Sequence, residues 1–457
     1  MGIVSLVRSS WSLAYAATSL STLLLTAAAI KGFSTKNRTA NIVLSLLSNQ
    51  MAELPLAVVL LDVIFSIWLR ITGTFYQSTL ASFFYYINIV TAVGLLYLFK
   101  LSLDAKATAQ KFLDQLSKES KASVVLPGPD APRFWQQFLN PLYWPQGCTI
   151  YNNIPYWNER EQLSALRSDG WESVLQMALD VYRPNTVEGG DDRPVLMYIH
   201  GGGWTTGSKS LTGPLLSEMV SYGWIVVSID HRLTAKAGYP TQLIDCKRAL
   251  RWIKDEIRIF GGNPNNVVVA GDSSGGHMAA LLALTPNLPE FQPGFESADT
   301  SVRGCVAQSA SLDLTDLKNY TQHEARGRFV KDVAKRDGSA ESAENLKFLT
   351  EHSPLFRISE ASVPFLVIHG DLDVIAPAQS ARDFVQEFRT KSKSSIDYLE
   401  LTGAHHCFQM FSSPRTWYTT IATAEWLSFN FDRQGDTKQA DEKKVQVHEL
   451  VEWGWTA

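Results

Sequence analysis

Six residues, Gly271-Asp272-Ser273-Ser274-Gly275-Gly276, constrain this chain more than any others. A β-branched run, Val267-Val268-Val269-Ala270, leads into them, and an apolar helical run over residues 277–284 leads out. A strand that becomes a helix within so short a bend brings two backbones close together, and glycine on both sides permits it. Gly271 and Gly275 occupy those positions and leave Ser273 at the apex. Strand, G-x-S-x-G and helix together are the context of a nucleophile elbow. Alone, the motif is a modest signal, because Gly and Ser also fill ordinary turns.

The surroundings of the motif have a regular organisation. From about residue 143 onward, β-branched apolar runs recur at 195–199, 224–229, 267–270, 302–307, 364–368 and 396–401, with helical patterns between them. In the helical stretch 241–260, Leu243, Cys246, Leu250, Ile253 and Ile257 share one face. Lys247, Arg248, Arg251, Lys254 and Arg258 fall largely elsewhere and read as a solvated face. Unbroken apolar strands alternating with helices imply an α/β domain, its mostly parallel sheet covered by helices on both faces, over residues 143–432. Residues 313–354 are polar and helix-prone and interrupt the alternation. They suit either a cap over the site or a plain surface insertion.

The first hundred residues have another character. Residues 11–30 and 81–99 carry no charge, and 54–69 is apolar but marginal, because it contains Asp62 and Pro55. About twenty apolar residues cross a bilayer core as a helix. A cleaved leader or buried soluble helices are the competing readings, and three apolar stretches in succession favour an anchor of two or three transmembrane helices over residues 1–103. With three helices, Lys31, Lys36, Arg38, Lys100, Lys106 and Lys111 share one side, while Arg8 and Arg70 lie on the other. The positive-inside bias then predicts an integral membrane protein with its globular domain in the cytosol. Residues 104–142, charged and then broken by Pro127, Pro129 and Pro132, read as a linker. Residues 433–457 read as a tail, either an interfacial helix or a disordered end.

Overall charge of −4 lacks the basic excess that nucleic-acid binding wants. Cys148, Cys246, Cys305 and Cys407 lie far apart with no C-x-x-C pair, so they read as free thiols. No clustered metal ligands, Walker loop or G-x-G-x-x-G after a strand is present, so no metal or cofactor is expected.

His200-Gly201-Gly202-Gly203-Trp204 directly follows the 195–199 strand. Successive glycines leave backbone amides unshielded, as stabilisation of a developing oxyanion requires. That assigns oxyanion donation to Gly202, Gly203 and Ser274, with His200 fixing the loop. A serine nucleophile also needs a base and an acid that orients it. Residues 364–373 end in His369-Gly370-Asp371-Leu372-Asp373, offering two acids, and residues 401–408 contain His405-His406, offering two bases.

HGGGW, GDSSGG, HGDLD and GAHHCF together resemble the hormone-sensitive-lipase family of α/β-hydrolases. Asp230-His231-Arg232-Leu233 is similar to that family's D-Y-R-L segment, with His in place of Tyr. Gly223-Trp224-Ile225, residues 245–250 and 294–300, and Ala52-Glu53-Leu54-Pro55 further resemble membrane-anchored carboxylesterases of the mycobacterial type. The resemblance implies an α/β-hydrolase fold preceded by transmembrane helices. It also selects Asp373 as the acid and His406 as the base for Ser273, with Asp371 left as a turn residue. The implied activity is hydrolysis of small apolar carboxylic esters or lipids through an acyl-enzyme, with Trp204 and Phe408 as candidate pocket residues. Amidase, formamidase or sterol-ester deacetylase chemistry on the same residues, or a non-catalytic ligand receptor on this scaffold, are the alternatives.

Overall fold

Six apolar runs become six adjacent parallel strands. The computed structural model describes residues 3–33, 35, 38–76, 78–120, 124–131, 134–135, 146–168, 177–321 and 324–432. In chain order the strands are β1 (Cys148–Pro155), β2 (Ala178–Pro184), β3 (Arg193–Ile199), β4 (Ile225–Ile229), β5 (Gly262–Asp272), β6 (Gly304–Gln308), β7 (Phe365–Gly370) and β8 (Ile396–Leu401). They form one sheet in the order β1-β2-β4-β3-β5-β6-β7-β8. The strands from β4 to β8 run parallel, while β1 and β2 pair antiparallel at one edge. This is the α/β-hydrolase architecture that the sequence implies, enlarged by an edge hairpin.

The period-2 pleat divides the strand side chains between two cores. Val195, Met197 and Ile199 of β3 face one layer, and Leu196 and Tyr198 face the other. Helices α5 (Glu159–Ser168), α7 (Thr241–Glu256), α8 (Ser274–Leu284) and α11 (Ala378–Lys391) belong to the same face as the insertion helices α9 (Glu324–Arg328) and α10 (Ala343–Glu351). The opposite face is covered by α6 (Pro214–Ser221), α12 (Pro414–Phe431) and the second half of α4 (Thr79–Ser120).

The basic face of α7 is not simply solvated. Lys247 is fully buried and donates to the Thr285 carbonyl and, at 3.3 Å, to the Thr300 hydroxyl. Arg248 and Arg251 clasp Glu161 of α5 at 3.1 and 2.7 Å. A pattern read on one helix shows which residues share a side; a carboxylate brought in from another element decides whether that side is wet.

Ahead of the sheet lie α1 (Ile3–Lys31), α2 (Arg38–Glu53), α3 (Pro55–Ile71) and the first half of α4. Ser9–Lys31 and Thr79–Lys118 are each long and apolar enough to cross a membrane, and α2 and α3 form a pair bent by 86°. Pro55 opens α3, where its missing N–H costs nothing, and the chain changes direction there. The Asp62 that interrupts the apolar pattern is met at 2.5 Å by the Asn88 amide of α4.

The linker expected from residue 104 is not a free connector at its start. Helix α4 continues unbroken to Ser120, and Ala105, Ala109, Phe112, Leu113 and Leu116 are buried in the sheet's core. With 42 residues it extends about 63 Å, spanning both the apolar bundle and the globular domain. Residues 136–145 and the 433–457 tail lie outside the described residues.

Candidate active site

Ser273 sits between the end of β5 and the start of α8 with φ 53° and ψ −118°. A non-glycine residue in that conformation is strained by about 1–3 kcal/mol and persists only where its surroundings fix it. Here the Ser273 amide donates to the Gln308 carbonyl of β6 at 2.9 Å. A Cβ on Gly275 would lie 2.1 Å from the Ile199 carbonyl oxygen, so a side chain there would push α8 off β3.

Loops at the C-terminal ends of β7 and β8 bring two further side chains to the serine. His406 Nε2 lies 2.8 Å from Ser273 Oγ, and His406 Nδ1 lies 2.7 Å from Asp373 Oδ2. A carboxylate only accepts, so Nδ1 carries the proton and Nε2 is left to accept from the serine hydroxyl. Asp373 Oδ1 accepts from the amides of Ile375 and Ala376 at 2.9 and 2.8 Å, which fixes the carboxylate's direction. Burial alone would raise the Asp373 carboxyl; His406 and a hydrogen bond from His369 outweigh it and hold the group well below the usual carboxylate range. The neighbouring candidates go elsewhere. Asp371 Oδ1 accepts from the Gly403 amide at 2.7 Å, and His405 Nε2 donates to the Ala29 carbonyl of α1 at 3.0 Å.

The glycine loop lies beside this line. Gly202 and Gly203 have φ of 125° and 61°, and a Cβ on Gly202 would lie 2.1 Å from the Thr206 carbonyl oxygen. Among the described residues no acceptor engages the Gly202 or Gly203 amides. Ser274 stands in the first turn of α8, where a helix presents unpaired amides and the positive end of its dipole. His200 Nδ1 donates to the Gly201 carbonyl at 2.7 Å, so it braces the loop.

Sequence reasoning missed Asp272, the residue before the serine. Its Oδ1 accepts from Tyr198 Oη at 2.7 Å and from the Gly201 amide at 3.1 Å, tying the glycine loop to the elbow. Burial raises its carboxyl, against these hydrogen bonds. A second acid so close to the serine was the available signal, but short motifs treat that position as variable.

The two candidate pocket residues separate. Trp204 packs edge-on against His277 of α8 at 5.3 Å and against Phe329 of the insertion at 5.0 Å, beside the serine's helix. Phe408 is fully buried in the core on the opposite face of the sheet. The left-handed turn at Cys407, φ 56°, directs the chain into a short helical turn there, so Phe408 packs the core and does not line the site.

A half-buried serine joined to a buried histidine and aspartate beside a glycine loop, all at the C-terminal ends of parallel strands, defines the α/β-hydrolase class. Residues 179–388 match the BD-FAE family model, and this region is similar to the hormone-sensitive-lipase-like α/β-hydrolases. The chain is 38% identical over 251 residues to the probable carboxylic ester hydrolase LipM of Mycobacterium tuberculosis, covering 55% of this chain and 57% of the relative. It is 34% identical over 257 residues to esterase LipQ of the same organism, covering 56% and 60%. The chain thus spans about three fifths of those relatives' length. Among solved structures, a bifunctional GH43-CE protein of Bacteroides eggerthii superposes with a TM-score of 0.50 at 22% identity, covering 61% of this chain and 38% of that one, a likeness of fold.

Proposed function

We propose that this chain is a membrane-anchored serine carboxylesterase that hydrolyses apolar carboxylic esters through an acyl-enzyme. The observation that carries the reading is the continuous hydrogen-bonded line from Ser273 through His406 to Asp373. Ester hydrolase relatives support the same reading.

Ser273 Oγ attacks the ester carbonyl while its proton passes to His406 Nε2. Asp373, ionised by its hydrogen bonds, holds the imidazole and stabilises the cation formed. The carbonyl oxygen, now an oxyanion, accepts from the amides of Gly202, Gly203 and Ser274. The intermediate collapses, its C–O bond to the alcohol breaks, and His406 returns the proton to the departing alkoxide. Water then attacks the acyl-enzyme with His406 again as base, and the acid leaves.

Helices α1 to α4 would hold the site near lipid, which favours acylglycerols, acetylated sterols and similar apolar esters. The insertion over 313–354, through Phe329 against Trp204, would bound the acyl side as a cap. The distribution of Lys and Arg around the apolar helices favours a hydrolase domain in the cytosol.

The test is turnover of p-nitrophenyl butyrate by the full chain in detergent, with a formamide and a sterol acetate as competitors. Ser273→Ala should lose at least about 10⁴-fold in kcat. Parental turnover by that variant would end the proposal, and preference for the formamide would move it to amide chemistry.

A further inference from the structure

The segment that carries His406 is contacted by α1, α2 and α4 as well as by the hydrolase domain. Asn49 Nδ2 of α2 donates to the His406 carbonyl at 3.0 Å, across 357 residues of sequence. The adjacent His405 Nε2 donates to the Ala29 carbonyl of α1 at 3.0 Å. At the segment's far end, Arg415 forms a fully buried ion pair with Glu53, and the Ser413 hydroxyl donates to the other Glu53 oxygen at 2.5 Å. The Arg415 amide donates to the Ser102 hydroxyl of α4 at 3.0 Å. Leu101 of α4 lies within 3.3 Å of where a Cβ on Gly403 would stand. A tether that merely confines an enzyme to a membrane needs none of these contacts, and a buried ion pair is costly to desolvate unless its geometry is closely satisfied.

From the hydrolase domain itself, the His406 segment receives the Asp371–Gly403 bond, a 3.0 Å bond from the Leu372 amide to the Ala404 carbonyl, a 3.3 Å bond from the Cys407 amide to the Ser309 hydroxyl and the Cys407 thiol's contact with Asp272, and among the described residues none of these engages the His406 carbonyl. The segment's carbonyl at His406 and its exit at 413–415 are therefore set by α2 and α4. An imidazole must reach both Ser273 and Asp373, and a displacement of about 1 Å at such a group can cost on the order of 100-fold in rate.

We infer that Asn49 and Glu53 are positioning residues for His406, so that the apolar N-terminal helices complete the active site as well as anchoring it. This rests on the ester hydrolase reading above. It also gives a role to Ala52-Glu53-Leu54-Pro55, which the chemistry at Ser273 leaves unused. Pro55 turns the chain directly after Glu53, so α2 presents Asn49 and Glu53, one helical turn apart, to the segment.

The experiment compares full-length Asn49→Leu, Asn49→Gln and Glu53→Gln with the parent in detergent. It measures p-nitrophenyl butyrate kcat and KM, the second-order rate of Ser273 labelling by a fluorophosphonate, and the melting temperature. Asn49→Leu is expected to lower kcat and the labelling rate together by about 10–100-fold. KM should stay within about twofold, and Asn49→Gln, which keeps an amide donor, should recover part of the loss. Glu53→Gln, which leaves Arg415 buried without a counter-charge, should show the same pattern or fail to fold, and in the latter case Asn49→Leu decides. Parental kcat and labelling rate in folded Asn49→Leu would overturn the inference. So would a loss confined to melting temperature. Parental turnover in Ser273→Ala sinks the ester reading separately, so the two failures are distinguishable.

Discussion

Asp373 shows how much one carboxylate is asked to do. Its two oxygens serve different masters: Oδ1 is fixed by two backbone amides, and Oδ2 receives His406 at 2.7 Å and His369 at 3.2 Å. Asp373→Asn keeps the volume but removes the negative charge opposite the imidazole. It is expected to lower kcat by about 10⁴-fold while the melting temperature stays close to the parent's, measured by ester turnover and thermal unfolding. At Gly202 the constraint is steric. Gly202→Ala brings a methyl against the Thr206 carbonyl and should cost about 10²–10³-fold in kcat by displacing an oxyanion donor, with ester turnover as the check. Among these residues the serine, the glycines and the choice of His406 over His405 were all legible as motif positions. Asp272 was not, because its bonds to Tyr198 and Gly201 depend on strands β3 and β5 lying side by side.

At the level of elements, the six parallel strands were readable because each is an unbroken apolar run between helical patterns. Strands β1 and β2 were not. The sequence of β1, CTIYNNIP, mixes exposed and half-buried positions at a sheet edge and carries a register shift between Tyr151 and Ile154. Only pairing with β2 makes it a strand. The insertion over 313–354 was ambiguous as sequence. It buries Phe329, Val330 and Val333 in the core beside α8, and the Tyr239 amide donates to its Val333 carbonyl at 3.0 Å. Phe329→Ala removes the ring that meets both Trp204 and Tyr239. It should cost about 3–5 kcal/mol in chemical denaturation. If the insertion bounds the acyl side, the variant should also shift turnover toward longer acyl esters. An unchanged preference across C2 to C12 esters would show that it does not. The contacts of α2 with the His406 segment escaped sequence reading altogether, since no local pattern links residues more than 350 positions apart.

The molecule as a whole should be acid-sensitive. Burial, with His200 close by, pushes His231 down to about 3; burial pushes His277 down to about 4; and burial, reinforced by His277, pushes His352 down to about 3. All three are neutral in the fold, whereas in the unfolded chain each takes up a proton below its ordinary value of about 6.5. The unfolded state therefore binds more protons between about pH 6.5 and 4, so stability falls as the pH drops through that window. Each histidine contributes a slope of up to about 1.4 kcal/mol per pH unit. His231 stacks on His200 at 4.4 Å in the place where the resembling family carries Tyr. His231→Tyr should flatten the slope by about that one increment, read by denaturant unfolding at pH 5 and 6.5, and an unchanged slope would contradict the assignment. The apolar bundle carries a prediction of its own. Long outward-facing side chains such as Leu60, Ile64, Phe83 and Val93 suit lipid contact. In right-side-out vesicles a tag on the hydrolase domain should be protected from added protease, and its digestion would reverse the proposed orientation.

Every step of the proposed hydrolysis depends on Ser273 being the nucleophile that His406 activates. Full-length protein in membranes, treated with a fluorophosphonate and digested, should yield a phosphonylated peptide whose modified residue is Ser273. That adduct should be absent from His406→Ala treated for the same time. An intact Ser273 peptide in protein that hydrolyses esters, or an adduct on another serine, would contradict it.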